Sequence, residues 1–214
     1  MKTKTYLTLF FILFMTMISC SSNAQTYTLE TSLGNIKLIL YDNTPLHKAN
    51  FENLVEKHAY DSVLFHRIIK GFMIQTGDLR TKPSTSVDTT ADATIPAEFV
   101  PENFHKKGAI AAARTGDLVN PEKRSSLTQF YIVEGRTFSD EELDYLEQAT
   151  GKHWNEEQRN VYKTLGGTPF LDQEYTVFGE VVEGLEVVDK IAALPTRPGD
   201  YPIADIRILT ITKD

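Results

Sequence analysis

One stretch of the chain decides the fold: it runs from Phe65 to Asp78 and reads FHRIIKGFMIQTGD. Its Ile, Phe and Met residues are typical of β-structure, in which successive side chains point to opposite faces. On that alternation Arg67, Ile69 and Gly71 share one face, and Gly71 offers a place for the chain to kink. Because the guanidinium of Arg67 keeps its charge in proteins, it needs hydrogen-bond acceptors or a role in a functional site.

The composition is that of a globular protein. The chain has 214 residues, of which 41% are hydrophobic and 24% charged, and this length fits one domain with its own core. The net charge of −7 argues against a nucleic-acid partner, because phosphate binding needs a basic surface. The histidines show no metal-ligand spacing and Cys20 is the single cysteine, so the sequence predicts neither a metal nor a cofactor.

The first residues predict export. Lys2 and Lys4 precede an apolar run over residues 6–18, which is typical of a secretory signal peptide. This run is shorter than the roughly 20 residues that a membrane-spanning helix needs. We therefore expect residues 1–19 to be removed and the mature protein to leave the cytoplasm.

Cys20 directly follows the apolar run and resembles the cysteine of a bacterial lipobox, although Met17 stands where Leu is commoner. Lipidation of Cys20 would anchor the protein in the cell envelope, facing the periplasm, with residues 20–26 as a tether. Cleavage after Ala24 is the alternative. The lipid would be the only contact with the membrane.

The remaining pattern predicts a mainly β fold. The expected elements are a hairpin over 27–41, a helix that begins at Thr44-Pro45 with Thr44 as N-cap, strands at 108–113, 126–133, 176–182 and 206–211, and a helix over 184–193. Many short strands with few helices favour a barrel or sandwich. Ser139 and Asn155 each begin a capping-box pattern, which predicts a helical hairpin inserted at about 137–167.

Several separated segments together resemble the cyclophilin-type peptidyl-prolyl cis-trans isomerases. They occur in the family's order and span nearly all of residues 27–214 outside the insert: 45–54 with Asn50-Phe51, 65–78, 108–114, Gln129-Phe130-Tyr131, and 170–179. The resemblance implies a closed eight-stranded antiparallel barrel, capped by two helices, with a substrate groove on its outer surface.

The resemblance also implies roles for individual residues. Arg67 and Gln75 occupy the positions of the family's catalytic Arg and its supporting Gln. The implied substrate-binding residues are Phe72, Met73, Ala113, Arg114, Gln129, Tyr131, Phe170, Leu171 and Tyr175. Among them Tyr131 replaces a Phe on the pocket floor, Arg114 an Asn, Phe170 a Trp and Tyr175 a His. Without the resemblance, Arg67 would fit a rim residue whose head reaches water.

This residue set suits rotation about a peptide bond. The barrier of about 18–20 kcal/mol comes from amide resonance, and a guanidinium near the prolyl nitrogen stabilises the twisted state more than either planar state. We therefore expect an isomerase that acts on proline-containing segments of exported proteins and assists their folding. The alternatives are a proline-segment binding module or holdase without turnover, and a structural envelope lipoprotein that works through its insert.

The insert lies in sequence between Tyr131 and Phe170. It is therefore expected either to border the groove and restrict which substrates enter, or to be a surface hairpin without a role at the site.

Overall fold

A computed structural model describes residues 25–83 and 92–214. Its strands are β1 (Thr26–Thr31), β2 (Gly34–Leu40), β3 (Arg67–Ile69), β4 (Met73–Thr76), β5 (Thr94–Ile95), β6 (Ala109–Ala112), β7 (Ser125–Ser126), β8 (Phe130–Val133), β9 (Val177–Glu183), β10 (Thr196–Arg197), β11 (Tyr201–Pro202) and β12 (Ile208–Lys213). Its α-helices are α1 (Pro45–Glu56), α2 (Asp140–Thr150), α3 (Glu156–Thr164) and α4 (Leu185–Ala192). The predicted signal peptide over 1–19 and Cys20 lie outside the described residues.

Eight of the strands form one curled antiparallel sheet, in the order β12, β1, β2, β9, β6, β8, β4, β3. The two edge strands are not paired as a ladder within the described residues. Three backbone hydrogen bonds join the segment before β3 to the start of β12 and the residues just before it: Ser62 to the Ile208 carbonyl at 2.8 Å, Phe65 to the Ile206 carbonyl at 2.9 Å, and Ile208 to the Val63 carbonyl at 2.9 Å. The mainly β, eight-stranded prediction is confirmed, and full closure of the barrel stays a prediction.

The two faces of the sheet carry different apolar layers. Along β8, Phe130 and Ile132 belong to the main core, whereas Tyr131 and Val133 belong to a second layer on the opposite face. The same alternation separates the residues of β6. The apolar sides of α1 and α4 cover the main core, so these are the two predicted capping helices. The second layer is left to build a surface site.

The start of α1 differs from the prediction. Pro45 is the first helical residue, as expected, but the hydroxyl of Thr44 makes no capping hydrogen bond and instead donates to the Tyr41 carbonyl at 3.3 Å. The carboxylate of Glu98 accepts from the backbone N–H groups of Leu46 and His47 at 3.1 and 3.0 Å. A residue distant in sequence therefore caps the helix, and local pattern could not reveal it.

The strand predicted over residues 126–133 is also wrong in its extent. It is divided into β7, which pairs with β5, and β8, which belongs to the main sheet. The hydroxyl of Ser126 accepts from the backbone N–H groups of Thr128 and Gln129 at 3.3 and 3.1 Å. This local turn, which serine favours, breaks the ladder and leaves Gln129 just before β8.

The inserted hairpin is confirmed. Helices α2 and α3 both begin with complete capping boxes, at Ser139 and Asn155. Leu143 of α2, Tyr162 of α3, and Phe138 and Trp154, which precede the two helices, form a separate small core, against which Phe104 packs. The insert therefore has its own apolar contacts and rests on the segment that leads into β6.

Candidate active site

The β3–β4 hairpin brings the two predicted catalytic residues together. Gly71 lies in the connecting turn with φ of +76°, a conformation that glycine adopts without strain. The resulting register places Arg67 directly opposite Gln75. Gln75 is in turn opposite Tyr131 on β8. These three side chains therefore form a row across the sheet, on the face away from the main core.

Arg67 is half-exposed, with 42% of its side chain accessible. Its Nε donates to the carboxylate of Asp200 at 3.3 Å, and the Asp200 carbonyl accepts from the backbone N–H of Ile68 at 2.8 Å. Within the described residues, the terminal nitrogens of Arg67 make no hydrogen bond. The guanidinium is thus oriented through one nitrogen, and the residue lines the pocket described below.

Asp200 was missed by sequence reasoning. It follows Pro198-Gly199, which signals a turn, and it adopts φ of +63° between β10 and β11. No motif connects that turn with Arg67, which precedes it by more than a hundred residues. Only the tertiary structure shows the contact.

Gln75 is oriented by a second amide. Its Nε2 donates to Oε1 of Gln129 at 3.2 Å. The two predicted residues are therefore neighbours, and Gln129 lies at the margin of the pocket rather than in its lining.

A pocket of about 100 Å³ opens beside this row. Nine of the predicted residues line it: Arg67, Phe72, Met73, Gln75, Ala113, Arg114, Tyr131, Leu171 and Tyr175. Its volume lies below the roughly 300 Å³ at which small-molecule sites begin, so it suits one small ring. Phe170 does not line it, but its ring stacks on Phe72 with centroids 5.8 Å apart.

Tyr131 forms the buried floor of the pocket. Its hydroxyl lies 2.9 Å from Nε2 of His105, and its ring meets Tyr175 edge-on with centroids 5.9 Å apart. Burial raises the pKa of Tyr131 well above its ordinary value, so the phenol is neutral. Because His105 engages the hydroxyl, the ring offers the pocket an apolar surface, as a Phe would.

Arg114 contrasts with Arg67, since only 5% of its side chain is accessible. Its Nε donates to the Glu174 carbonyl at 2.8 Å and one terminal nitrogen to the Thr115 carbonyl at 3.0 Å. Its guanidinium also lies 4.6 Å from the ring centroid of Tyr175. These contacts make Arg114 a support of Tyr175, and its contact with substrate stays a prediction.

Within residues 25–83 and 92–214, no helix combines the length and apolarity needed to cross a bilayer. In the same ranges, no three or more His, Cys, Asp or Glu side chains are grouped so as to hold a metal ion.

The fold and the pocket agree with the sequence comparison. Residues 26–213 match the family described as cyclophilin type peptidyl-prolyl cis-trans isomerase/CLD. The chain therefore belongs to the cyclophilin-type peptidyl-prolyl cis-trans isomerase family, and the resemblance seen in the motifs is confirmed.

Two individual relatives share about one third of the aligned residues with this chain. A candidate bifunctional phosphatase/peptidyl-prolyl cis-trans isomerase of Streptococcus pyogenes is 33% identical over 188 residues, which are 86% of this chain and 37% of that protein. A candidate peptidyl-prolyl cis-trans isomerase of Staphylococcus saprophyticus is 32% identical over 184 residues, or 86% of this chain and 88% of that one.

Solved structures support the fold alone. A cyclophilin type peptidyl-prolyl cis-trans isomerase of Cryptosporidium parvum superposes with a TM-score of 0.65 at 23% identity, covering 89% of this chain and 97% of that chain. A second structure of that protein, determined in the presence of the dipeptide Ala-Pro, has the same TM-score at 22% identity and covers 89% of this chain and 99% of that one.

Proposed function

We propose that this protein accelerates rotation about X-Pro peptide bonds in exported proteins as they fold, with Arg67 and Gln75 as its catalytic residues. Rotation breaks no bond to hydrogen or to a heavy atom, so it needs neither a nucleophile nor a proton donor. Reduced amide resonance and a fixed position for the proline are sufficient.

Arg67 supplies the differential stabilisation. As the amide twists, the prolyl nitrogen becomes pyramidal and its lone pair is freed from resonance. A terminal N–H of Arg67 donates to that lone pair, an interaction that the planar cis and trans forms cannot make equally well. Asp200 orients the guanidinium before the substrate binds, so the site needs little reorganisation while the peptide bond rotates.

The pocket fixes the proline side of the X-Pro peptide bond. The proline ring enters between Phe72, Met73 and Leu171, above the ring of Tyr131, while the preceding carbonyl rotates outside. Gln75, oriented by Gln129, lies opposite Arg67 and is placed to bond the substrate backbone.

A wider groove beside the pocket suits the rest of the chain. It has a volume of about 460 Å³ and shares Gln75, Ala113 and Arg114 with the pocket. We assign this groove to the residues that flank the proline, together with the backbone of Ala113.

The observation that carries the proposal is the row of Arg67, Gln75 and Tyr131. A pure binding module would need the apolar pocket, but it would not need a half-exposed arginine that is oriented through one nitrogen towards that pocket.

The test is NMR exchange of a short Ala-Pro peptide with the protein beginning at Gln25 and with its Arg67→Ala variant. We expect the wild type to accelerate exchange and the variant to lose about 100-fold or more, with an unchanged circular dichroism spectrum. Arg136→Ala is the matched control, because Arg136 is a similarly exposed arginine (52% of its side chain) that lies outside the pocket lining, directly before the insert.

Two outcomes would favour the rival functions. Peptide binding without acceleration in the wild type would support a binding module or holdase. Loss of the biological role after deletion of residues 137–167, with exchange rates intact, would support a structural role for the insert.

The proposal includes the cell envelope as the place of action. The charged and apolar pattern of residues 1–18 and the position of Cys20 support export and lipid attachment. Folding helpers that depend on ATP are unavailable outside the cytoplasm, and an isomerase needs no such energy. Mass spectrometry of the mature N-terminus distinguishes a lipidated Cys20 from cleavage after Ala24, and Cys20→Ala should release the protein from the membrane fraction.

The proposal also includes closure of the barrel. The three backbone hydrogen bonds between residues 62–65 and 206–208 support it. Slow hydrogen exchange at the amides of Ser62, Phe65 and Ile208 is expected for a closed seam, and fast exchange would show an open edge.

A further inference from the structure

Asp172 is a buried hub behind the pocket. Its Oδ1 accepts from the backbone N–H of His105 at 2.7 Å and lies 2.8 Å from Nδ1 of the same residue. Its Oδ2 accepts from Nε1 of Trp154 at 2.7 Å and from the hydroxyl of Tyr162 at 2.6 Å. Four donors thus converge on two oxygens, which is the full acceptor capacity of a carboxylate.

His105 extends the hub to the pocket floor. The ring is fully buried, and Asp172 can only accept, so Nδ1 carries the hydrogen. In the neutral ring, Nε2 is then the acceptor for the Tyr131 hydroxyl, 2.9 Å away. A continuous series of buried hydrogen bonds therefore runs from Asp172 through His105 to Tyr131, the pocket floor on which the proline would rest.

The other two donors come from the insert. Trp154 precedes α3, Tyr162 lies within it, and both belong to the insert's own small core. The base of the insert is closely packed on His105 as well, since a Cβ at Gly167 would approach the His105 carbonyl to 2.2 Å. The insert is thus joined to the hub by side chains and by backbone.

Asp172 also belongs to one wall of the pocket, which is formed by the segment 170–175. Asp172 follows Leu171, which lines the pocket, and precedes Tyr175 by three residues. From the insert, Nζ of Lys152 donates to the carbonyl of Phe170 at 2.7 Å. These side chains of the insert therefore contact Phe170 and Asp172, whereas no residue of 137–167 lines the pocket itself.

We propose that the insert supports the proline pocket from behind: through Asp172 and His105 it positions the Tyr131 floor and the 170–175 wall. The inference rests on the proposed function of that pocket. Asp172 and His105 are positioning residues, because neither lines the pocket. The insert then determines the affinity for the proline, whereas Arg67 determines the rate at which the peptide bond rotates.

The test uses Tyr162→Phe, which removes one donor to Asp172 and keeps the ring. We expect KM for the Ala-Pro peptide to rise about 3- to 10-fold with kcat little changed, and the ¹⁵N signals of His105 and the ring signals of Tyr131 to shift. The matched control is Tyr145→Phe. This tyrosine lies on α2 of the same insert but is 70% exposed, so the same change there should leave KM and both sets of signals at wild-type values.

Trp154→Phe provides an independent second variant if Tyr162→Phe does not fold, and the same KM rise and signal shifts are expected. Wild-type KM and unshifted His105 and Tyr131 signals in a folded variant, with only the unfolding free energy lowered, would overturn the inference.

The proposed function can fail separately. If wild-type protein does not accelerate exchange, peptide affinity by NMR titration replaces KM. A weaker affinity in Tyr162→Phe, with the signal shifts, would then still support the positioning role, and an unchanged affinity would refute it.

Discussion

The two walls of the pocket are built in opposite ways. One wall is the β3–β4 hairpin, where a single stretch of sequence supplies Arg67, Phe72, Met73 and Gln75. The other wall is the segment 170–175, which is held by side chains from distant parts of the chain: His105, Arg114, Lys152, Trp154 and Tyr162. In the proposed mechanism the local wall carries Arg67, which acts on the bond, and both walls supply the apolar surfaces that hold the ring.

The two arginines at the pocket show the same difference. Arg67 uses one nitrogen to stay in place and presents the others, whereas the guanidinium of Arg114 is engaged by the protein. Residue type alone therefore does not distinguish the proposed catalytic arginine from the supporting one. The two differ in how many of their donors are already satisfied within the protein.

Breaking the distributed wall should have the largest effect. Asp172→Ala leaves four buried donors without their acceptor, and we expect the unfolding free energy to fall by about 3 kcal/mol or more. Urea denaturation measures this. Arg67→Ala is the comparison from the local wall, with an expected change below about 0.5 kcal/mol, and equal losses in the two variants would contradict the contrast.

Arg67→Lys sharpens the contrast at the local wall. Lysine keeps the charge but loses the fork that bonds Asp200 and the substrate together, so the kcat of Ala-Pro exchange should fall about 10-fold or more. Thermal unfolding should be unchanged. A variant with wild-type kcat would show that charge alone is sufficient and that the orientation by Asp200 is irrelevant.

Arg114→Met should show the reverse behaviour. It removes the hydrogen bonds to Glu174 and Thr115 and the contact with Tyr175, at a cost of about 1 kcal/mol in unfolding free energy. The value of kcat should change little, because the guanidinium does not act on the bond. A large fall in kcat with unchanged stability would instead place Arg114 in direct contact with the substrate.

The smallest effect is expected from pH. Burial lowers the pKa of His66, beside Arg67, with further lowering by Arg80 and Arg67 that Asp78 and the Leu64 carbonyl oppose. The unfolded state therefore binds more protons below its ordinary pKa of 6.5, so stability is full at higher pH and falls as the pH drops through that value.

At pH 6 the loss from His66 is at most about 0.8 kcal/mol. Wild-type urea midpoints at pH 8 and pH 6 contain this loss together with that of His47, whose pKa burial also lowers, so the difference from a His66 variant isolates it. His66→Asn should reduce the pH dependence, and His153→Asn, at an exposed histidine, should leave it as in the wild type.

Much of the local wall was predictable. The alternation of residues 65–78 placed Arg67 and Ile69 on one face, and the motif resemblance named Gln75 and the pocket residues, nine of which do line one pocket. The hairpin register that sets Arg67 opposite Gln75 was not predicted, because a glycine in an apolar stretch is compatible with either a kink or a full reversal.

The distributed wall was less accessible. The motif resemblance identifies Tyr131 as a pocket residue in place of a Phe, but no local pattern indicates that His105 is its hydrogen-bond partner. Asp172 lay inside a recognised motif, and nothing in that motif indicates that four donors converge on it. The helices of the insert were predicted from their capping boxes, which are local signals, whereas the surface on which they pack was not.

The sequence by itself determined the family, most of the strands and helices, the inserted helices and the identity of most pocket residues. These depend on side-chain periodicity, caps and a contiguous motif, all of which act over a few residues. Only the tertiary structure decided that Asp200 orients Arg67, that Glu98 caps α1, and that Asp172 joins the insert to the pocket floor. Each of these contacts is a hydrogen bond between residues far apart in sequence. The curvature of the whole sheet brings the partners together, and no local pattern encodes their proximity.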